Sequence, residues 1–304
     1  MRASVAVLVK DGAAHLPDVL AALEAQDLAG GLEIVAVDSG STDGSLDMLR
    51  RPSVRLLTIP PAAFDHGETR NLAAREARGR SVVFLSQDAQ PADRGFARAL
   101  VEALEGDERL AGAFARQVPR PGADPLTRRD LGAWVASGDR PRVVFAPPEY
   151  GSLPAAERYG LAAFDNVASA VRRDLLLAHP FCSSRFGEDV EWGDRMLRLG
   201  QGLAYVPEAA VIHSHTRTAR GLFRRNYLGH RLLQRLFGLR TVPDLAHLLR
   251  AAVGAVTSDL RTLARHRVSL ATWLVAPAQA VSATYGQYRG ARDETLGRPY
   301  PEWA

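Results

Sequence analysis

The stretch EIVAVDSGSTDGSLDML, residues 33–49, decides the fold class of this chain. It opens with a continuous apolar run that is typical of a buried strand. Residues 42–49 then show the spacing of a helix, with Thr42 or Asp43 as its cap. Asp38 stands where the strand ends and a turn rich in Gly and Ser begins. A carboxylate there can accept the ring N–H of a pyrimidine or a ribose hydroxyl, but the same residues also fit an ordinary capped turn.

Strand and helix patterns alternate on both sides of this stretch. The further predicted strands are residues 4–9, 54–59 and 82–86, and the helices are residues 16–23, 68–77 and 94–104. Continuous apolar strands between amphipathic helices predict an α/β fold with a Rossmann-like, mostly parallel mixed sheet flanked by helices. Ligands of such sheets bind beyond the carboxyl ends of the strands.

The second half of the chain has a different pattern. Loops at 119–125 and 141–154 precede predicted strands at 164–171, 204–207 and 210–213 and a helix at 188–199. After Thr216 only helical patterns remain, with one apolar stripe within residues 222–237 and a second within 245–260. We therefore expect a sheet domain at residues 1–216 that holds the site, and a basic helical extension at residues 217–304.

Composition excludes several classes of protein. With 304 residues, 46% hydrophobic and 24% charged, the chain is not disordered, collagen-like or a polytopic membrane protein. The single cysteine, Cys182, excludes an internal disulfide framework and a cysteine-based zinc finger. The first 30 residues lack the pattern of a signal peptide, and the uncharged run 268–288 contains Pro277 and several polar residues. We expect a cytoplasmic protein without a spanning helix.

The positive charge is concentrated after the predicted sheet domain. Residues 216–270 hold eleven arginines against Asp244 and Asp259, a balance of +9 in a chain whose net charge is +4. Such a tract indicates an anionic partner: membrane headgroups, nucleic acid or a phosphorylated substrate. Nucleic-acid binders pair basic patches with aromatic platforms or a reading helix, and this tract holds only Phe223, Tyr227 and Phe237.

Two other enzyme classes lack their sequence signatures. A dinucleotide-dependent oxidoreductase carries G-x-G-x-x-G after its first strand, and that motif is missing here. A nucleotidyltransferase could share the sheet and a carboxylate that holds a metal, but no glycine-rich basic loop follows the first strand.

Polar residues follow several of the predicted strands. Val9-Lys10-Asp11 ends the first strand, and Ser86-Gln87-Asp88 ends the fourth. A carboxylate in the latter place can hold Mg²⁺ or Mn²⁺ against a diphosphate, because such ions take few protein carboxylates and several phosphate or water oxygens. It could equally cap the next helix. His213 and His215 lie at the end of the short predicted strand 210–213 and offer two further ligands for the same ion.

Two helix starts carry the remaining candidates. His66, Arg70 and Asn71 offer a cation and polar groups to phosphate or sugar. The run Glu188-Asp189-Val190-Glu191-Trp192 places three acids in the first turn of a helix. One of these acids could be a general base that deprotonates a nucleophilic hydroxyl, or all three could simply favour the helix dipole.

Together, and in this order, these residues resemble the family-2 inverting glycosyltransferases, which use nucleotide-sugar donors; the resemblance covers about residues 3–215. The phrases FDHGETRNLA (residues 64–73) and FLSQDAQP (residues 84–91) are similar to bacterial rhamnosyltransferases that use dTDP-L-rhamnose to build O-antigen and other surface polysaccharides. The resemblance implies the glycosyltransferase A-type fold. It also implies a nucleotide-diphosphate donor, a divalent Mg or Mn cofactor, and a saccharide or lipid-linked acceptor.

The resemblance assigns roles to the matching positions. Donor contacts fall to Val9, Lys10, Asp11, Asp38, Ser39, Gly40, His66, Arg70, Asn71, Gln87 and Asp88. Asp88 is the metal ligand, with His213 or His215 completing the site. Asp189 is the general base with Glu188 in support, and the acceptor side comprises Asn166, Ser169, Glu191 and Trp192.

The chain departs from the family pattern in two places that bear on function. The usual Asp-x-Asp is Ser86-Gln87-Asp88 here, with one acid of the pair. No Gln-x-x-Arg-Trp follows Glu188-Asp189, and since that motif accompanies processive synthesis, we expect transfer of a single sugar. UDP- and GDP-sugars stay open as alternative donors. The basic helices fit either a peripheral contact with the inner face of the cell membrane or a helical cap or homodimer interface.

Overall fold

The computed structural model describes residues 1–303, and these divide into two compact units that interleave along the sequence. The first unit comprises Met1–Val118, Trp134–Ser152 and Gly160–His213, and the second comprises Pro119–Ala133, Leu153–Tyr159 and the chain from Ser214 onward. The first unit thus ends three residues before the expected boundary at residue 216, while two segments from the middle of the chain belong to the second unit.

The first unit is built on one nine-stranded sheet. Its strands are β1 Ala3–Val9, β2 Leu32–Asp38, β3 Val54–Thr58, β4 Ser81–Ser86, β5 Gln90–Pro91, β6 Leu110–Val118, β7 Arg142–Val144, β8 Ala168–Arg172 and β9 Gly202–Ile212. The strand order is β3-β2-β1-β4-β8-β6-β9-β5, and β7 pairs with β9. Strands β3, β2, β1 and β4 run parallel, and β6 and β9 are parallel to each other. The antiparallel β8 joins the two parallel groups.

The helices flank this sheet or form the C-terminal region. They are α1 Leu16–Glu24, α2 Ser45–Leu49, α3 His66–Glu76, α4 Phe96–Gly106, α5 Pro125–Gly132, α6 Ala155–Ala162, α7 Arg173–Ala178, α8 Glu188–Arg198, α9 Ala219–Phe237, α10 Leu245–Leu263 and α11 Leu270–Thr295. The predicted α/β fold, with a mixed sheet flanked by helices and a helical C-terminal region, is confirmed.

The apolar residues of the alternating pattern form the core of the first unit. Val5 and Val7 of β1 and Leu85 of β4 pack with Leu20 of α1 and Leu100 of α4 in one buried cluster. Burial of each such side chain contributes about 1.5–3 kcal/mol, so this cluster fixes the strands whose ends carry the site.

Several predicted boundaries differ from the structure. The helix expected from residue 42 begins at Ser45, because Gly44 precedes it in the left-handed region with φ of 93°. The strand expected at 164–171 begins only at Ala168. The two short strands expected around Pro207 are one strand, β9, and the register of its pairing with β6 shifts between Ala115 and Arg116. Strands β5, β6 and β7 are not predicted by the sequence patterns: β6 is rich in small and polar residues, β5 has only two residues, and β7, with three residues, lies within the predicted loop 141–154.

The helices of the second unit differ in how they bury their apolar stripes. On α9, Tyr227, Leu232, Leu233 and Phe237 are buried. Helix α11 approaches α9 closely, since a Cβ at Gly286 or Gly290 would collide with the α9 backbone. On α10, by contrast, only Asp259 and Leu263 are buried. Within residues 1–303, no helix combines the length and the apolar character that crossing a membrane requires.

Candidate active site

Strand polarity brings the candidate residues of the first unit to one edge of the sheet. In the parallel pairing Val9 lies opposite Asp38, and Leu8 lies opposite Ser86. The antiparallel β8 starts at the same edge, because Ala168 lies opposite Leu85. Strands β6 and β9 also end there, with Val118 opposite Ile212. We call this edge the carboxyl edge; the name includes the loops after β1, β2 and β4 and the first turn of α8.

Asp38 has one satisfied and one unsatisfied oxygen at the end of β2. The backbone N–H groups of Gly40 and Ser41 donate to its Oδ2, at 2.9 and 3.1 Å. Its Oδ1 is buried and has no hydrogen-bond partner. A buried carboxylate oxygen without a donor is unfavourable by itself, so this atom is suited to accept a hydrogen bond from a ligand.

The loop after β1 is fastened to its neighbours by hydrogen bonds. Asp11, with a positive φ of 48°, accepts the backbone N–H of Thr42 at 2.8 Å, which lowers the pKa of its carboxyl group. The Gln87 side chain accepts the N–H of Lys10 at 2.8 Å and donates to the Lys10 carbonyl at 3.0 Å. The amide of Gln87, a predicted donor contact, therefore clamps the Lys10 backbone.

The predicted metal ligands Asp88 and His213 face each other. His213 Nε2 lies 3.5 Å from Asp88 Oδ2, and the His213 side chain is buried. A carboxylate and an imidazole nitrogen at this distance are stabilised by a cation that both bind or by a proton on the imidazole. The two side chains therefore fit a divalent cation. His215 belongs to the second unit, so its place as a third ligand stays a prediction.

Glu188 and Asp189 begin α8 after Gly187, whose φ of 75° is in the left-handed region. Glu188 is buried; Arg70 Nη1 lies 2.8 Å from its Oε1, and Asn166 Nδ2 donates to the same oxygen at 3.2 Å. Asp189 Oδ2 accepts the backbone N–H of Asn166 at 3.0 Å. The two acids thus differ: Glu188 is ion-paired, and Asp189 is held by backbone groups.

The environment of Asp189 favours the protonated acid. Burial raises the pKa of Asp189 to about 8, and the nearby carboxylates of Glu188 and Asp165 act in the same direction. The Asn166 N–H and the Arg70 charge oppose the shift. A carboxyl group with a raised pKa is a stronger base once deprotonated, which suits it to take a proton from a hydroxyl group at near-neutral pH.

Helix α3 carries the other predicted donor contacts. Arg70 is buried, and its Nε has no hydrogen-bond partner. Burial lowers the pKa of His66, which the charge of Glu188 partly opposes. Asn71 exchanges two hydrogen bonds with the backbone of Phe181, at 2.9 and 3.0 Å. The amide of Asn71 thus fixes a chain segment, while Arg70 and His66 lie beside Glu188.

Three of the four predicted acceptor residues, Asn166, Ser169 and Trp192, are buried. Ser169 donates to Asn166 Oδ1 at 2.8 Å and so orients that amide. Trp192 is fully buried against Phe164 and Phe181, and its ring N–H donates to the His179 carbonyl. Neither Ser169 nor Trp192 has exposed surface, so their burial argues against direct contact with an acceptor, and the acceptor assignments stay predictions. Glu191 is ion-paired with Arg195 at 3.0 Å on α8.

Three residues of the carboxyl edge are not among the predicted site residues. Gln117 at the end of β6 contacts His213, and Asp165 contacts both Gln117 and Trp134. Asp165 adjoins the candidate Asn166, so its position was a usable signal. Gln117 and Trp134 had none, because β6 was not predicted and an isolated Gln or Trp has no diagnostic spacing.

Comparison with known proteins gives a consistent family match. A family model described as Glycosyl transferase family 2 matches residues 4–176. The O-antigen chain rhamnosyltransferase WbaN of Salmonella anatum is 28% identical over 198 residues, which are 64% of this chain and 60% of that protein. The O-antigen chain rhamnosyltransferase RfbN of Salmonella typhimurium is 29% identical over 218 residues, 69% of this chain and 66% of that protein. The chain thus spans less than two thirds of the length of these curated relatives.

Solved structures share the fold at low sequence identity. The mannosyltransferase PcManGT from Pyrobaculum calidifontis, in complex with GDP-Man and Mn²⁺, has a TM-score of 0.59 at 18% identity, over 94% of this chain and 86% of that one. Residues 1–349 of TarS from S. aureus, in complex with UDP-GlcNAc, have a TM-score of 0.52 at 15% identity, over 99% of this chain and 93% of that one. These likenesses confirm the expected glycosyltransferase A-type fold.

Proposed function

Because the chain belongs to glycosyl transferase family 2, we propose that it moves one sugar from a nucleoside-diphosphate donor to a hydroxyl group of an acceptor, with inversion at the anomeric carbon. The observation that carries this proposal is the carboxyl edge. It combines a buried oxygen of Asp38 without a donor, the facing pair Asp88 and His213, and the base-like Asp189.

The proposed reaction is a direct displacement. Asp189 accepts the proton of the acceptor hydroxyl as the hydroxyl oxygen attacks the anomeric carbon. A bond forms between that oxygen and the anomeric carbon, and the bond from the same carbon to the phosphate oxygen breaks. The nucleoside diphosphate leaves with the bonding electron pair. Glu188 stays paired with Arg70 at 2.8 Å and so holds the first turn of α8 in place.

Donor binding is assigned to the loops after β1, β2 and β4. Asp38 Oδ1 is placed to accept an N–H or O–H of the nucleoside, since its other oxygen already has two donors. Asp88 and His213 would hold a divalent Mg or Mn ion, and we propose His215 as the third ligand, since the three side chains are of the types that bind metals. When bound, the ion supplies positive charge for the leaving diphosphate.

We propose dTDP-L-rhamnose as the donor and synthesis of a cell-surface polysaccharide as the role. Support comes from the two relatives that are named O-antigen chain rhamnosyltransferases. UDP- and GDP-sugars are the alternative donors, because two structures with the same fold are complexes with GDP-Man and UDP-GlcNAc. The absence of the Gln-x-x-Arg-Trp motif after Asp189 favours the transfer of one sugar at a time.

Calorimetry with dTDP, UDP and GDP, each with and without Mn²⁺, tests the proposal. We expect one nucleotide to bind in a metal-dependent manner, with dTDP favouring the rhamnose donor. Asp88→Ala should abolish the metal dependence. Asp47→Ala, at an exposed carboxylate paired with Arg50, is the matched control and should bind like the wild type. If no nucleotide binds at millimolar concentration, the transferase proposal fails.

The acceptor is proposed to be a saccharide, lipid-linked at the inner face of the cell membrane. On α10, Leu245, Leu249 and Val253 lie four residues apart and are 62%, 69% and 67% exposed; we call these three residues the exposed stripe. Eight of the eleven arginines in residues 216–270 are also exposed: Arg220, Arg225, Arg235, Arg240, Arg250, Arg261, Arg265 and Arg267. Exposed apolar residues beside arginines suit the surface of an anionic membrane.

Flotation with liposomes tests this membrane contact. We expect the protein to float with vesicles that contain anionic lipid and not with neutral vesicles. Replacing the exposed stripe by glutamine should abolish flotation. A wild-type protein that does not float but is a dimer, which the substitutions make monomeric, would assign the stripe to a homodimer interface.

A nucleic-acid-binding protein is the alternative from a different class, because of the basic tract. Two of the three aromatic residues of the tract, Tyr227 and Phe237, are buried and offer no platform for bases. Salt-dependent binding to random DNA, with no nucleotide bound in calorimetry, would favour this alternative.

A further inference from the structure

The His213 ring is held between two polar groups in the first unit. Its Nδ1 lies 2.8 Å from Gln117 Oε1, and its Nε2 lies 3.5 Å from Asp88 Oδ2. His213 is 5% exposed and Gln117 is 7% exposed, so water hardly competes with this contact. The hydrogen bond to Gln117 therefore decides which ring nitrogen carries the hydrogen in the neutral imidazole.

The orientation of the Gln117 amide follows from its other neighbour. Gln117 Nε2 donates to Asp165 Oδ2 at 2.5 Å. A carboxylate only accepts, so the nitrogen end of the amide must face Asp165, and the oxygen end must face His213. That oxygen also only accepts. His213 Nδ1 must then be the donor, which leaves the lone pair of the neutral ring on Nε2, toward Asp88.

Asp165 is fixed by further donors. Trp134 Nε1 donates to Asp165 Oδ2 at 2.7 Å, and the backbone N–H of Val167 donates to Oδ1 at 2.9 Å. The backbone of Gln117 is fixed as well, because its N–H donates to the Ala136 carbonyl at 2.7 Å. The Asp165 carboxylate cannot turn without losing three hydrogen bonds, and the Gln117 side-chain amide cannot turn without losing two, each unfavourable to leave unmade.

We infer that Gln117 is a positioning residue that fixes the tautomer and ring orientation of His213 for a divalent cation. Asp165 orients Gln117, and the next residue, Asn166, donates its backbone N–H to Asp189. One corner of the chain, residues 165–166, thus supports both the proposed cation ligand and the proposed base. The inference rests on the proposed function for the cation, while the tautomer is a property of the protein alone.

Metal binding is the first test. Gln117→Met keeps the size of the side chain and removes both polar ends, so Mn²⁺ affinity measured by calorimetry should fall about 10–100-fold, as is typical when such a supporting hydrogen bond is lost. Gln279→Met is the matched control. Gln279 is also a buried glutamine, but its amide bonds to Arg217 in the second unit, and this variant should bind Mn²⁺ like the wild type. Equal affinity in the wild type and in folded Gln117→Met would overturn the inference.

The second test measures the tautomer in metal-free protein. With the ring in its neutral form, the ¹⁵N shifts of His213 should show the hydrogen on Nδ1 and none on Nε2, and Gln117→Met should yield a mixture of tautomers. His213→Ala assigns the signals among the eight histidines. A wild-type His213 with its hydrogen on Nε2 would overturn the inference whatever the metal result. If the wild type does not bind Mn²⁺, the cation proposal fails, and these spectra alone decide the role of Gln117.

Discussion

The carboxyl edge of the first unit and the helix α10 of the second depart in opposite ways from the usual partition of side chains. At the carboxyl edge, polar and charged groups such as Asp38, Arg70, Glu188 and His213 are buried. On α10, the exposed stripe of Leu245, Leu249 and Val253 is in contact with solvent. Each arrangement is unfavourable for an isolated domain, because buried charges need partners and exposed apolar surface gains nothing in water.

The two regions differ in whether other residues compensate for the buried polar groups or the exposed apolar ones. Most of the buried groups have partners within the unit: Glu188 has Arg70 and Asn166, and Asp165 has Gln117, Trp134 and the backbone of Val167. The exceptions, Asp38 Oδ1 and Arg70 Nε, lie where the donor is proposed to bind. The exposed stripe, by contrast, lies in a tract rich in arginine and is not packed against other described residues of the unit. Function is therefore inferred from single atoms in one region and from a surface in the other.

The largest effect is expected from removing the proposed base. Asp189→Asn keeps the size of the side chain and cannot accept the proton, so turnover should fall about 10²–10⁴-fold while nucleotide binding is retained. Steady-state kinetics and calorimetry on the same preparation measure both. Asp194→Asn, on the same helix and ion-paired with Arg198 at 2.8 Å, is the control and should have a far smaller effect. Near-normal turnover of Asp189→Asn would remove Asp189 from the base role.

The next effect concerns the buried ion pair. Arg70→Met leaves Glu188 without its cation in a site where the two side chains are only 10% and 5% exposed, so unfolding should become easier by about 3–5 kcal/mol. Arg50→Met breaks a pair whose side chains are 63% and 80% exposed, and should change stability by about 0–1 kcal/mol. Urea unfolding compares the two.

A double variant sharpens this prediction. Adding Glu188→Gln to Arg70→Met removes the buried charge that was left behind, so part of the lost stability should return. If the double variant is as unstable as the sum of the two single variants, the pair contributes through packing and not through charge.

The pH dependence of Asp189 is the third prediction. Its pKa of about 8 in the folded protein lies above the ordinary 3.8, so the folded chain binds this proton more tightly than the unfolded chain. The resulting stability is present in full below pH 3.8 and is lost as the pH rises through about 8. Thermal unfolding from pH 5 to 9 should show a decline that Asp189→Asn lacks.

The same titration sets the rate. Because the base acts as a carboxylate, kcat/KM should fall about tenfold for each pH unit below the pKa of Asp189. A profile that is flat down to pH 5 would mean that Glu188, Asp165 and Arg70 do not hold the carboxyl group of Asp189 as described.

Sequence patterns predicted the parts of the molecule that depend on local periodicity. The parallel strands β1 to β4 and the helices between them were recognisable, and with them the ends that carry Asp38 and Asp88. The helix start at Glu188 was recognisable for the same reason. For Asp38 and Asp88, their positions at strand ends are enough to predict that they lie in the site, because neighbouring parallel strands end at the same edge of the sheet.

Long-range pairing limited the rest. Nothing local shows that β6 inserts between β8 and β9, so the contact of Gln117 with His213, 96 residues apart, was not predictable. The resemblance implies an acceptor contact for Trp192, but the helix turns this side chain into the core, which the spacing of the acids does not show. The second apolar stripe was predicted as a helix face, yet periodicity does not say whether such a face is covered.

The smallest effect on stability is expected for the exposed stripe, and it distinguishes the exposed part of α10 from the buried end of the same helix. Leu249 is 69% exposed, so Leu249→Ala should change the free energy of unfolding by no more than about 0.5 kcal/mol. Leu263, on the same helix, is fully buried beside Leu126 and Ala276, so Leu263→Ala should destabilise the protein by about 2–5 kcal/mol. Denaturant unfolding of the isolated protein at low concentration compares them. A large loss of stability for Leu249→Ala would mean that the stripe is covered in solution, and a loss that grows with protein concentration would identify the cover as a second copy of the chain.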